Sequence, residues 1–271
     1  MTVALETRNL VKRFGGFTAT NDVSLTIESG ARHALIGPNG AGKTTLINLL
    51  TGVLKPTSGQ VIVDGDDITG LSSHRRVRRG IARTFQINQL FTGFTPLESV
   101  LLAINERDGF GRSAWRPLAA HLDATDEAVD LLERFGLSGV MGEKTGRIAY
   151  GKQRLLEIAL AFASRPRVLL LDEPAAGVAE EERSEVLAIV RSLPAEVTVV
   201  LIEHDMDLVF SFADRISVLV AGAVMVEGTV GEIAADPRVK AVYLGEDATR
   251  RRSCGSTGSF PAMVRPGFSA V

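Results

Sequence analysis

Hydrophobic and polar positions change rhythm several times along this chain, and each rhythm predicts a different element. Near the start, Val23, Leu25 and Ile27 alternate with polar neighbours, the period of a strand with one buried face. Ser29-Gly30 turns the chain, and the run from Ala31 to Ile36 predicts a buried strand. From Thr44 to Thr51 the spacing of Leu46, Leu49 and Leu50 is helical. Val61-Ile62-Val63 followed by Asp64-Gly65 predicts a hairpin at a sheet edge. From about residue 88 to 160 the strand signals vanish. Ala128, Leu131, Leu132 and Phe135 recur with the period of a helix there, so a mostly helical insertion is expected. After Pro166 short apolar runs return at Val168–Leu171 and Val197–Ile202, with Val186, Ile189 and Val190 on one side of a helix between them. Such runs suit parallel strands buried on both faces.

Composition narrows this picture. The chain has 271 residues, enough for one large α/β domain or two small ones, and 45% are hydrophobic, enough for a sizeable core. A formal charge of −2 argues against bulk nucleic-acid binding, though not against a local basic patch. Cys254 is the single cysteine, so no internal disulfide can form, which fits a reducing compartment. The apolar run from Ile216 to Val226 is about half of the ~20 residues a membrane-crossing helix needs. Its β-branched content predicts a buried strand instead. Met1 to Arg8 lacks the apolar stretch of a secretory signal. Any membrane role is therefore expected through partners. From Asp247 the composition shifts to Arg250-Arg251-Arg252 and a serine- and glycine-rich sequence. A disordered tail is expected over 247–271, either a solvated extension or a segment that touches protein or lipid.

The chemistry begins between the predicted strand and the predicted helix. Gly37-Pro38-Asn39-Gly40-Ala41-Gly42-Lys43-Thr44 fits the pattern G-x-x-x-x-G-K-[ST] of a phosphate-binding loop. Backbone N–H groups must approach phosphate oxygens closely, and glycines at the tight points permit it. The N-terminus of the following helix adds positive potential. Lys43 can reach the β- and γ-phosphates, the Thr44 hydroxyl can ligate Mg2+, and Thr45 is placed to touch the α-phosphate. By itself the motif means nucleotide binding, and it does not separate a kinase, a GTPase and a transport ATPase. Downstream, the apolar run at 168–171 ends in Asp172-Glu173-Pro174, two acids at the end of a buried strand. α/β sheets place their ligand crevices at such ends. Asp172 is the candidate metal ligand, and Glu173 the candidate general base for an attacking water.

These residues resemble the ATP-binding cassette (ABC) ATPases over roughly residues 3 to 246. Arg83-Thr84-Phe85-Gln86 looks like the segment whose glutamine contacts Mg2+ and the attacking water. Ile148-Ala149-Tyr150-Gly151-Lys152 stands where the family usually has L-S-G-G-Q. Glu203-His204-Asp205 resembles the switch whose histidine touches the γ-phosphate. Phe14 sits where the family stacks an aromatic ring on adenine. The resemblance implies an α/β P-loop NTPase fold with an antiparallel β subdomain and a helical insertion subdomain, working with ATP and Mg2+. It implies that Ala149, Tyr150, Gly151 and Lys152 face the nucleotide of an opposite subunit through backbone N–H groups at a helix start. Four positions depart from the pattern. Ala149 removes the usual serine hydroxyl, and Tyr150 replaces a glycine. Lys152 replaces the usual glutamine, either supplying charge or facing solvent, and Ala179 stands where an aspartate is common.

Phe14-Gly15-Gly16, Ala149-Tyr150-Gly151, the segment Glu173 to Gly177, Ile202 to Met206 and Tyr243 to Glu246 together look like the first ATP-binding subunit of branched-chain amino acid importers. That group implies a second ATP-binding subunit, two membrane permeases and a soluble binding protein. It implies a place at the cytoplasmic face of the cell membrane through those partners. Lipopolysaccharide-export ATPases, urea or short-amide importers, and soluble ABC ATPases of translation or DNA repair are the alternatives. Leu90, Phe91, Phe94 and Leu97 are candidates for a permease docking groove, or else core residues of the insertion.

Overall fold

Two long strands open the chain, β1 (Val3–Phe14) and β2 (Phe17–Glu28), paired antiparallel around the turn at Gly15 and Gly16. In β2 the expected alternation is met: Val23, Leu25 and Ile27 are buried and their neighbours exposed. β4 (Ser58–Val63) pairs with the other side of β1, and the two-residue β5 (Asp66–Asp67) completes a four-stranded sheet in the order β2-β1-β4-β5. Asp64 and Gly65 turn between β4 and β5 with φ of 49° and 85°. A two-residue hairpin turn with both residues left-handed matches strand twist, which is why Asp-Gly serves there.

The computed structural model describes residues 2–84, 90–109 and 122–243. Gln86 and the expected tail at 247–271 lie outside these. A second sheet of six strands has the order β10-β9-β3-β8-β7-β6. It comprises β3 (Arg32–Ile36), β6 (Ile81–Arg83), β7 (Val168–Asp172), β8 (Thr198–Ile202), β9 (Arg215–Val220) and β10 (Ala223–Thr229). All neighbours are parallel except β10 against β9. The run at 216–226, expected as one strand, is therefore two. Ala221 and Gly222 turn between them at φ 49° and 81°. An alanine carries no sequence signal for that conformation, so the hairpin was hidden.

The apolar strands are explained by what covers them. In β7, Leu169 and Leu171 pack into one core with the helical part, while Val168 and Leu170 pack into another with α1 (Lys43–Leu50) and the antiparallel sheet. Truncating one such leucine to alanine costs about 2–5 kcal/mol. The last carbonyls of α1 are met by a buried arginine. Arg76 of α2 (Ser73–Arg78) donates to Leu49 O at 2.6 Å and Leu50 O at 2.8 Å, and to Thr69 O at 2.7 Å. This fixes the far end of the helix that carries the glycine-rich loop.

Three helices lie in the expected insertion: α3 (Pro96–Arg107), α4 (Leu122–Arg134) and α5 (Tyr150–Ala163). Thr95 and Glu98 form a reciprocal capping box that starts α3. Ala128, Leu132 and Phe135 are fully buried against Val100, Ile104 and Leu155, and Leu131 is nearly so. Beyond β7 come α6 (Glu180–Arg191), α7 (Met206–Phe212) and α8 (Val230–Ala235). No helix among the described residues is long and apolar enough to cross a membrane.

Candidate active site

The parallel strands deliver their C-terminal ends to one edge of the sheet, and the predicted residues gather there. β3 ends at Ile36 and the glycine-rich loop follows at once. Gly37, Gly40 and Gly42 have φ of 152°, 78° and 99°. Space is the second constraint. A Cβ at Gly37 would collide with the Leu219 carbonyl of β9, and one at Gly42 would stand 2.5 Å from Ala19 O. Neighbouring strands thus press on the loop, and only bare backbone fits. Lys43 opens α1 and donates through Nζ to Gly37 O and to Pro38 O, the latter at 3.1 Å. The ammonium is drawn across the loop itself. Asn39 and Thr44 are exposed, Pro38 and Thr45 half-buried and Ala41 buried. This is a cradle of backbone donors with a cation at its rim, a shape suited to phosphate.

Phe14 closes β1 and is 47% exposed, opposite the more open Phe17 at 64%. Lys12 Nζ lies 5.0 Å from the ring centroid of Phe14, a cation over one side of a ring that is otherwise half-exposed. Phe17 was not singled out in the sequence.

Asp172 is buried at the end of β7, where the Arg83 guanidinium donates to its Oδ2 at 2.7 Å. Arg83 also donates to Asn48 Oδ1 on α1 at 2.6 Å, tying β6, β7 and the loop helix together. Glu173 follows in the left-handed region at φ 48°. Its Oε1 lies 3.6 Å from His204 Nδ1. His204 follows β8 with its side chain 68% exposed. Asp205 caps α7, accepting from the Asp207 and Leu208 N–H groups at 3.1 and 3.2 Å, and pairs with Arg183 of α6. The buried Arg154 of α5 pairs with Glu157 at 2.6 Å and donates to the Glu173 carbonyl at 3.2 Å. Arg83 and Arg154 hold the acidic pair, and the sequence alone gave no sign of it. An arginine in an amphipathic pattern reads as a solvated one.

The structure does not bring Ala149, Tyr150, Gly151 and Lys152 into this cluster. They begin α5, with Ala149 and Tyr150 exposed and Gly151 buried. Gly151 N–H donates to Glu182 of α6 at 3.1 Å, and Lys152 Nζ lies 2.7 Å from Glu185. Lys152 is thus paired rather than free in solvent. The four hydrophobic docking candidates divide. Phe91 and Phe94 are exposed with ring centroids 5.3 Å apart, while Leu90 and Leu97 pack on the helical core.

Among the described residues His33 is the buried histidine away from this edge, while His74 is exposed. His33 is enclosed in β3, Nε2 lies 2.8 Å from Ser217 Oγ, and burial pulls its pKa down to about 4. Its place is in the packed interior, away from the acidic residues and the loop.

A family model described as "ABC transporter" matches residues 20–176. The chain belongs to the ABC transporter family. A second model, "Branched-chain amino acid ATP-binding cassette transporter", matches residues 223–249. Among similar proteins of this ABC family is the high-affinity branched-chain amino acid transport ATP-binding protein BraF of Pseudomonas aeruginosa. It is 42% identical over 251 residues, covering 89% of this chain and 98% of that protein. The corresponding protein LivG of Escherichia coli K12 is 39% identical over 249 residues, with the same coverage. Among solved structures, the ADP conformation of MJ1267, an ATP-binding cassette of an ABC transporter, superposes with a TM-score of 0.79 at 33% identity. It covers 90% of this chain and all of that one. A dimeric structure of MJ0796, a bacterial ABC transporter cassette, reaches 0.71 at 25% identity, covering 83% and 98%. The fold is the ABC ATPase fold, with its antiparallel β and helical subdomains, and the chain is an ATPase that energises transport.

Proposed function

We propose that this chain is the ATP-hydrolysing subunit of an importer for branched-chain amino acids. The observation that carries the substrate class is the match of residues 223–249 to the branched-chain model, joined to relatives of that name along most of the chain. The ABC ATPase itself does not touch cargo, so the substrate is read from kinship and not from a pocket.

The geometry supports a division of labour. The N–H groups of Gly37 to Gly42, with Lys43 and Thr45, hold the phosphates, and Phe14 stacks on adenine. Thr44 and Asp172 are the oxygen donors for Mg2+, with Gln86, outside the described residues, as a further one. Among the described residues no group of three or more His, Cys, Asp or Glu could hold a metal alone. A cation shared between one or two protein oxygens and phosphate is the arrangement Mg2+ favours. When bound, the ion neutralises charge on the phosphates. Glu173 takes the proton of the attacking water, and His204, 3.6 Å from it and open to solvent, holds the γ-phosphate.

Ala149 to Lys152 lie apart from this cluster and serve the nucleotide of a second ATP-binding subunit. Two membrane permeases and a soluble binding protein complete the assembly. The chain sits at the cytoplasmic face of the cell membrane through them. Phe91 and Phe94 are the permease contacts, because they alone of the four candidates stay uncovered.

The test is reconstitution of the ATPase with permeases and binding protein in vesicles. Leucine, isoleucine or valine should stimulate ATP hydrolysis and accumulate inside. Stimulation by urea or a short amide instead, or by no solute, overturns the substrate assignment.

A further inference from the structure

Among the described residues three helices carry a glutamate at their third position, and they use it in two ways. In α3, Glu98 accepts from the Thr95 backbone N–H at 2.7 Å while Thr95 caps in return. In α8, Glu232 does the same with Thr229, also at 2.7 Å. These are reciprocal capping boxes. In α6 the third residue is Glu182, but the cap position is Ala179, which has no side chain to answer with. Glu182 turns outward and accepts the Gly151 N–H at the start of α5. The approach is close: a Cβ at Gly151 would come within 2.9 Å of the Glu182 carboxyl carbon. Any side chain at 151 would have to displace this carboxylate. One turn further along α6, Glu185 pairs with Lys152 at 2.7 Å. The same Nζ donates to Gly136 O at 3.0 Å. The Tyr150 ring lies beside Gly177, whose φ of 73° favours glycine there.

From these contacts we infer that Glu182 is a positioning residue of the signature. Its carboxylate holds the Gly151 N–H in the nucleotide-free chain and is exchanged there for a phosphate oxygen of the nucleotide on the opposite subunit. The Lys152–Glu185 pair keeps α5 tied to α6 through the exchange. The departures at Ala179 and Lys152 compensate each other. Ala179 releases Glu182 from capping its own helix, and Lys152 supplies the charge that α6 needs for a second hold. An anion at a helix start is favoured by the helix dipole, so the carboxylate and the phosphate compete for one place. The inference rests on the reading of α5 as the face offered to a partner's nucleotide.

Two measurements on Glu182→Ala and Glu182→Gln test it. The first is amide hydrogen exchange of the full nucleotide-free chain. In Glu182→Ala, Gly151 should exchange about tenfold faster while amides 155–163 stay protected, since a hydrogen bond to a charged group is lost. Glu182→Gln keeps a neutral acceptor and should retain most of the protection, which also covers the case of an alanine variant that folds poorly. Unchanged exchange at Gly151 in both variants overturns the inference. The second is the ATP dependence of hydrolysis in the assembled transporter. Removing the competitor should lower half-saturating ATP several-fold in Glu182→Ala, and less in Glu182→Gln, with ADP affinity of the phosphate loop unchanged. Half-saturation that stays put or rises excludes the exchange. An assembly with the native chain that shows no solute-stimulated ATPase would defeat the proposed function instead, and the exchange of Gly151 would still decide the role of Glu182.

Discussion

The two places proposed to meet nucleotide are built on different physics. At the sheet edge, Gly37 and Gly42 are confined by the carbonyls of Leu219 and Ala19, so the shape of the loop is set by backbone against backbone. At the start of α5, the signature is held by side-chain charge: Glu182 on Gly151 N–H and Glu185 on Lys152. The first has a single allowed geometry, because close-packed backbone does not deform gradually. The second can be exchanged, since partly exposed ionic contacts are weak singly and are replaceable by another anion. On the proposed function, a rigid site for its own ATP and an adjustable face for another subunit's suit a machine that must close and reopen.

The strongest way to break this comparison is at Glu173. Its left-handed backbone and its nearness to His204 belong to the rigid edge, so replacing the carboxylate should remove chemistry and leave shape. Glu173→Gln is expected to lower turnover by about 10³-fold while ATP stays bound. Steady-state hydrolysis near the native rate would remove Glu173 as the base and with it the division between a chemical edge and a binding face.

The rigidity itself is tested by pH. Burial holds the pKa of His33 down to about 4, whereas the ordinary value is 6.5. The folded protein therefore resists a proton that the unfolded chain accepts. Stability is complete above about pH 6.5 and falls as the pH drops toward 4, by up to about 3 kcal/mol. Denaturant unfolding across this window should show the decline, and His33→Gln should flatten it. An equally steep decline in the variant would place the acid sensitivity elsewhere than in the strand that leads into the loop.

The contrast also explains what could be read from sequence. The phosphate loop was legible because its demands fall on backbone freedom, and glycines at fixed spacing record them. The buried strands at 168–171 and 198–202 were legible because two covered faces leave no polar positions. The hold on α5 was not. Glu182 and Glu185 lie more than thirty residues from Gly151, and an acidic first turn reads as ordinary helix-start charge. Arg83, Arg154 and Arg76 were missed for the same reason: nothing local distinguishes a buried arginine from a solvated one. The hairpin at Ala221 and Gly222 was missed because alanine seldom adopts a positive φ.

A smaller effect is expected at Lys43. Its Nζ already leans on the Gly37 and Pro38 carbonyls, so part of its charge is spoken for before nucleotide arrives. Lys43→Ala should weaken ATP binding roughly tenfold to a hundredfold, the range for losing charge-assisted hydrogen bonds. Equilibrium titration with ATP would show it. Unchanged affinity would mean that the backbone cradle alone suffices.

The least effect is expected where the adjustable face is held most loosely. The Lys152–Glu185 pair is partly exposed on both sides, and such pairs contribute roughly 0.2–1 kcal/mol. A double-mutant cycle of Lys152→Gln and Glu185→Gln, followed by thermal unfolding, should give a coupling in that range that shrinks as salt rises. The single changes should not be equal. Lys152 Nζ also donates to the Gly136 carbonyl at 3.0 Å, where the chain leaves α4. Lys152→Gln therefore loses two contacts and Glu185→Gln only one. Lys152→Gln should be the more destabilising of the two. Equal costs with no coupling would mean that α5 is held by packing alone, and the two nucleotide contacts would then differ in chemistry but not in how firmly they are fixed.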